Sequence, residues 1–349
     1  AGLSAITGQM GKSIDIISEG TCLVIAGTNG VDAVMQAARD LCQTLAVTVL
    51  VPTAEHIPVD RKFDCVVGTV RNAAGALGGF TLKIDSLQQV IVGGRGSFTL
   101  SEPQDGAASQ CDIIVDLSRH NPMFPAYEKR EGYLRADPTH VPSLAKVVFA
   151  ASQLIGTFEK PLYVRLEESL CAHNRAEQTA CSNCLNVCPT GAILSAGEHV
   201  TIDPMICAGC GSCAAVCPSG AISYDAPPVD TLFRRLSTLA STYTSAGGKN
   251  PRLLVHDGDT GSEMITLAAR FGRGLPSDVI PIEIDALSGF GHAEMMAALA
   301  CGFGEVNILV FPKTDIEVIK SQVSLAQALS GCATIHLLQP GDPDAMSDM

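Results

Sequence analysis

The apolar positions of the chain run at two periods, and the switches between them mark its elements. TCLVIA, from Thr21, is a continuous apolar run of strand length, and GTNG follows as a turn. VDAVMQAARDLCQTL then carries apolar residues at helical spacing before VTVLVP returns to the strand pattern. This predicts a β-α-β unit with Gly27 and Gly30 at the strand-to-helix turn. Residues 62–117 read as mostly β, in the runs FDCVVGTV, GGFTLKI, QQVIVGG, SFTLS and CDIIVDL, separated by Gly, Asn, Asp and Ser turns. Residues 118–140 form a Pro- and charge-rich connector, 142–158 a helix, and PLYVRL (161–166) a strand. Residues 1–20 are small and polar without a period and read as a solvated lead-in.

The last third alternates cleanly. PPVDTLFRRLSTLASTYTSAGGKNP reads as a helix and a flexible joint at Gly247–Pro251. The strands RLLVH, DVIPIEI, EVNILVF and ATIHLL then interleave with helices near 262–272, 291–301 and 315–330. Three β-α steps in a row predict a small parallel sheet covered by helices. Thr260 with Glu263 reads as a capping box at the first of those helices. The expected fold class is α/β (α+β overall): an N-terminal α/β region with a β-rich middle (1–160), a cysteine-rich unit (161–227), a linker helix and joint (228–250), and a C-terminal parallel-sheet α/β domain (251–349).

The cysteine-rich unit contains its own repeat. Cys181, Cys184, Cys188, Pro189, Gly191, Ala192 and Ile193 recur as Cys210, Cys213, Cys217, Pro218, Gly220, Ala221 and Ile222, a constant 29-residue offset. With Cys207 in front, the second copy is a complete C-x2-C-x2-C-x3-C-P run, the bacterial [4Fe–4S] spacing. Three thiolates on one tight loop reach three corners of a cubane. Zinc sites built on C-x2-C pairs close with a second pair or with His and do not repeat the Cys-Pro ending. Residues 171–225, through VTIDPMICAGCGSC, CPTGAI and CPSGAI, resemble a bacterial two-cluster ferredoxin domain. In such domains the Cys before Pro ligates the other cluster. One [4Fe–4S] cluster is accordingly assigned to Cys207, Cys210, Cys213 and Cys188, and the other to Cys181, Cys184, Cys217 and one further thiolate.

The repeat offset maps Cys207 onto Gln178, and a neutral amide is a poor ligand for iron. The nearest upstream thiol is Cys171, which makes the first motif C-x9-C-x2-C-x3-C-P. The added length is absorbed as a loop at small cost, since loop closure rises by only about 0.6 kcal/mol per doubling. His173, or a three-iron cluster with no fourth ligand, are the alternatives.

Composition narrows the function further. Hydrophobic residues make up 46% and charged residues 17%, enough apolar material for two or three buried cores. The net charge of −13 argues against nucleic acid and supplies no basic patch for anionic lipid. No apolar run approaches the length of a membrane span. Of 14 cysteines, eight fall between 171 and 217, seven of them at cluster spacing, so a reducing cytoplasm is expected and not a disulfide framework. Cys22, Cys42, Cys65, Cys111, Cys301 and Cys332 sit in or beside apolar elements, and most of them read as core thiols.

Two phosphate motifs fail. GQMGKS (Gly8–Ser13) lacks the first Gly of a P-loop, where Ile6 stands, and GTNG lacks the G-x-G-x-x-G fingerprint. The C-terminal stretch PIEIDALSGFGHAEMMAALACGFGEVNILVF resembles the iron–sulfur (delta) subunit of methyl-viologen-reducing hydrogenases. That family carries [2Fe–2S] ligands after its first strand. Here the loop is HDGDTGSEM (256–264), without Cys, so the domain is expected to serve as a docking platform, and His256, Asp257 and Asp259 read as an ordinary βα turn.

The expected function is electron transfer through two [4Fe–4S] clusters, relaying single electrons within or to a larger oxidoreductase complex of hydrogenase, heterodisulfide-reductase or formate-dehydrogenase type. The chain then has a redox protein partner and is a non-catalytic subunit before it is an enzyme. The alternatives are a flavin- or nucleotide-dependent oxidoreductase with its cofactor in residues 20–120, and a scaffold stapled by inert clusters.

Overall fold

The computed structural model describes residues 11–58, 62–93, 97–175, 178–312 and 314–348. Helices and strands are mixed, with parallel strands in two separate sheets, and the chain is α/β. Among the described residues no helix is long and apolar enough to cross a membrane.

The N-terminal sheet has eight strands. Its order runs Phe98–Leu100, Phe80–Val92, Asp64–Ala74, Ala46–Val51, Thr21–Ala26, Ile113–Leu117 and Tyr133–Arg135, and Ala107–Cys111 also pairs with Phe80–Val92. The five strands from Asp64–Ala74 to Tyr133–Arg135 are parallel. A parallel sheet is covered on both faces, and this explains the unbroken apolar run of TCLVIA. Cys22, Val24 and Ala26 join the core with the helices Val31–Leu41 and Val141–Ser152, while Leu23 and Ile25 join Phe80, Leu82, Phe124 and Tyr133. Among the described residues no α-helix contributes to that second face, though Tyr127 of the 3-10 turn Tyr127–Lys129 packs against it. GGFTLKI and QQVIVGG, expected as two strands, are one strand, Phe80–Val92, and its Phe80 end supplies the cover. The register with Asp64–Ala74 shifts at Val67–Thr69 and again at Val70–Asn72, and Ser86 takes a positive φ.

Three local readings are corrected. The lead-in is not solvated throughout: Ser13–Ser18 is a strand, with Ile16 and Ser18 buried, while Gly8–Met10 of GQMGKS lie outside the described residues. Its partner is Gly156–Pro161, expected as the end of a helix; the helix stops at Ser152 and the chain turns at Gly156, φ 123°. Here a pairing partner more than 130 residues away overrides the local helical pattern. Finally, Thr260 does not cap its helix. The N-terminal N–H of Gly261 is taken by the Asp257 carboxylate at 2.7 Å. The Glu carboxylate that does reach back to a preceding backbone N–H is Glu294, to Gly291 at 2.9 Å.

The C-terminal sheet is parallel throughout, in the order Val279–Glu283, Arg252–His256, Glu305–Leu309, Ile335–Leu338. The helix Val229–Ser245 packs Leu236 and Ala240 into the same core as Leu253, Val306 and Met295.

Cys22 and Cys111 are both buried, and burial first, with a contribution at Cys22 from Cys111, pushes both thiols from 9.0 up to about 12. A thiol whose value is raised by folding contributes stability that is whole below the unfolded value and is lost as pH rises through the folded one. The denaturant midpoint is therefore expected to fall between about pH 9 and 12, and less steeply in Cys22→Ala, when followed by urea titration across that range. An equally steep fall in the variant would contradict the assignment.

Candidate metal centre

The cysteine-rich unit is closed at its ends by one pair of strands. Val164–Leu166, which leads in, pairs antiparallel with Ile222–Tyr224, which leads out. Between them the two copies repeat their geometry. Each has a short helix bearing its middle Cys, Asn183–Val187 with Cys184 and Ser212–Ala215 with Cys213. The residue before a proline is driven out of the helical region, and Cys188 accordingly turns extended at ψ 107° before Pro189. The turns that follow need glycine in both copies, Gly191 at φ 68° and Gly220 at φ 66°. A hydroxyl also recurs at the offset: Thr190 Oγ1 lies 3.7 Å from Cys188 Sγ, and Ser219 Oγ lies 3.7 Å from Cys217 Sγ.

The fold gathers the thiols into two groups. Cys171, Cys181, Cys184 and Cys217 line one cavity with His173, Val200 and Ile222. Burial first, then the charges of Cys181, Cys217 and Cys171, pushes the Cys184 thiol up to about 11. At Cys213 burial again comes first, and the charges that add to it come from Cys210, Cys207 and Cys188, then Cys184. Cys184 and Cys213 pack in one apolar cluster with Cys171, Cys188 and Cys217 against it, so thiols of both copies are neighbours. Among the described residues no three His, Cys, Asp or Glu side chains converge closely enough to share one metal ion. The donors are soft thiolates, the type that suits a polynuclear iron–sulfur group. Ile222 donates its N–H to Cys217 Sγ at 3.4 Å, the kind of bond that tunes such a group.

Cys171 stands at the end of a single 3-10 turn, Glu168–Leu170. The added residues between it and Cys181 form a small hairpin, Asn174–Arg175 against Gln178–Thr179. His173 braces that insertion. It is buried; its Nδ1 donates to the Cys181 carbonyl at 2.7 Å, and its Nε2 meets Ser195 Oγ at 2.7 Å. The Ala180 N–H returns to the His173 carbonyl at 2.8 Å. Both ring nitrogens are thus committed to the protein.

Sequence reasoning missed the surroundings of the second group. Lys160, buried, donates to the Met205 carbonyl at 2.9 Å and to Glu131 Oε2 at 3.1 Å. Arg130, also buried, donates to the carbonyls of Thr190 at 2.8 Å and Gly75 at 3.0 Å, and its guanidinium lies 4.7 Å from the centre of the Phe124 ring. From the other side, a Cβ on Gly211 would stand 2.7 Å from the Gly289 Cα, and one on Gly291 3.0 Å from the Ala215 Cα. The ligand loop thus meets the C-terminal unit backbone to backbone, through the SGFG of the stretch singled out in the sequence.

The nucleotide alternative finds little room at its expected place. Pro138 crosses the Gly30 turn, within 2.9 Å of where a Cβ would sit, and the Ser118 carbonyl lies against Gly27. A cavity of about 880 Å³ opens instead at Thr21, Ala46 and Asp64, the amino ends of three parallel strands. Open α/β sheets bind ligands at the carboxyl ends. At the His256 loop, Asp257 caps a helix and the His256 ring contacts the Asp257 carbonyl at 2.8 Å, so these side chains serve the turn.

Residues 179–221 match the family model of the 4Fe-4S dicluster domain. That span takes in seven of the eight cysteines of the two groups; Cys171 lies outside it. A search of the curated proteins finds no match to the chain. The match and the gathered thiols make the central segment a 4Fe–4S ferredoxin-like unit, one that binds at least one [4Fe–4S] cluster in an electron-transfer role.

Proposed function

We propose that the chain is an electron-relay subunit holding two [4Fe–4S] clusters, one on Cys171, Cys181, Cys184 and Cys217, the other on Cys188, Cys207, Cys210 and Cys213. The observation that carries this reading is the cavity shared by Cys171, Cys181, Cys184 and Cys217, which brings together cysteines from both copies of the repeat. When bound, a cluster supplies one-electron chemistry at low potential. The protein's part is to hold the thiolates, donate the Ile222 N–H and the two hydroxyls to sulfur, and exclude water with Val200, Ile193 and Ile222. The flanking α/β regions, 1–160 and 251–349, are read as docking platforms for a larger oxidoreductase complex, with 228–250 joining the last to the cluster unit.

Anaerobic purification with iron and acid-labile sulfide analysis tests the reading. About eight iron atoms per chain are expected, four for each cluster. About four would leave a single-cluster protein and contradict it.

A further inference from the structure

The two copies of the cysteine motif are alike in sequence but not in surroundings, and the difference is one of charge. Thr190 and Ser219 occupy the same place in the repeat, two residues after the Cys that precedes proline. Thr190 is 2% exposed, and its carbonyl is held by Arg130. Ser219 is exposed. The carbonyl of Met205, two residues before Cys207, is held by Lys160.

Both cations are almost wholly out of water, at 6% for Arg130 and 4% for Lys160. A buried charge is costly unless paired. Lys160 has Glu131, itself 42% exposed at its side chain. Arg130 rests on two carbonyls and the Phe124 face, and its Nε has no hydrogen-bond partner among the described residues. The negative charges that act on it are Asp203 and the Cys188 thiolate. Lys160 reaches the segment that enters Cys207 through the Met205 carbonyl, at 2.9 Å.

We infer that Lys160 and Arg130 are redox-tuning residues that set the site of Cys188, Cys207, Cys210 and Cys213 at a higher reduction potential than the site of Cys171, Cys181, Cys184 and Cys217. This inference rests on the two-cluster reading above. A [4Fe–4S] group on four thiolates is net negative, and one added electron makes it more so. Fixed cations in a low-dielectric setting favour that added charge and raise the potential. The electron comes from a one-electron donor protein, which is oxidised by one electron; no bond breaks and no proton is transferred. An electron entering at the site of Cys171 thus runs downhill to the site held between the N-terminal sheet and the C-terminal unit. Direction within the relay is built in by residues outside the cysteine-rich unit.

The test is an anaerobic potentiometric titration of the full chain, followed by EPR. Wild type is compared with Lys160→Gln and Arg130→Gln, which remove charge, and with Lys160→Arg and Arg130→Lys, which keep it. Cys207→Ser marks which signal belongs to the second site. Each neutral variant is expected to lower the higher midpoint by about tenfold in the one-electron equilibrium constant, about 59 mV, and to leave the lower midpoint in place. The charge-keeping variants are expected to hold wild-type midpoints, which a merely structural role would not require. Two clusters whose midpoints do not move, move together, or fall equally in the charge-keeping variants would overturn this inference alone. A wild-type chain with one cluster would overturn the two-cluster reading and this inference with it.

Discussion

Cys171→Ser is expected to leave the chain with about half its iron, because one of two four-iron sites loses a ligand while the other keeps all four. Cys171 lines the same cavity as Cys181, Cys184 and Cys217, and the strand pair Val164–Leu166 with Ile222–Tyr224 fixes the approach of its segment. A serine oxygen is a poorer donor to iron in these clusters than a thiolate. His173 cannot step in, since its two nitrogens are held by the Cys181 carbonyl and Ser195. His173→Ala should therefore loosen the insertion without removing a ligand, and lose less iron than Cys171→Ser. Full iron in Cys171→Ser, with loss in His173→Ala, would reverse the assignment.

Gly211→Ala is expected to destabilise the unit strongly. Gly211 has φ 77°, where a non-glycine residue costs about 1–2 kcal/mol. Its Cβ would also lie 2.7 Å from Gly289 Cα and 3.1 Å from Gly289 N, backbone atoms that cannot rotate away. Overpacking of that kind adds about 1–3 kcal/mol, so a total near 2–5 kcal/mol is expected from chemical denaturation. Gly220→Ala is the control: φ is 66°, but nothing lies within 4 Å of the new Cβ. It should show the backbone cost alone. Equal losses in the two variants would mean that the contact with the C-terminal unit does not matter to stability.

The chemistry was legible in the sequence because cluster ligation is a local problem. Spacing on one loop decides which thiols can reach a group, and the 29-residue offset both marked Gln178 as the gap and left Cys171 as the nearest thiol. The C-terminal alternation was legible for a similar reason, since parallel strands buried on both faces read as unbroken apolar runs. What was not legible depends on distant partners. Nothing near Gly156–Pro161 announces a strand; Ser13–Ser18 makes it one. The same pairing puts Lys160 beside Met205, and the irregular 118–140 connector hides Arg130. Residues 171–225 hold one Arg, Arg175, against Glu177, Glu198, Asp203 and Asp225. The cations that matter to the site come from outside that count. The difference in burial between Thr190 and Ser219 also had no signal, because the two look equivalent until their neighbours are known.

The central claim is that two clusters sit side by side in one small unit, and EPR of the anaerobically, fully reduced chain tests it most directly. Cys184 and Cys213 pack in one apolar cluster, so two reduced clusters held by these thiols are expected to couple magnetically. A spectrum broadened and split by spin–spin interaction is the predicted result. A single, unbroadened [4Fe–4S] signal at full reduction would contradict the account.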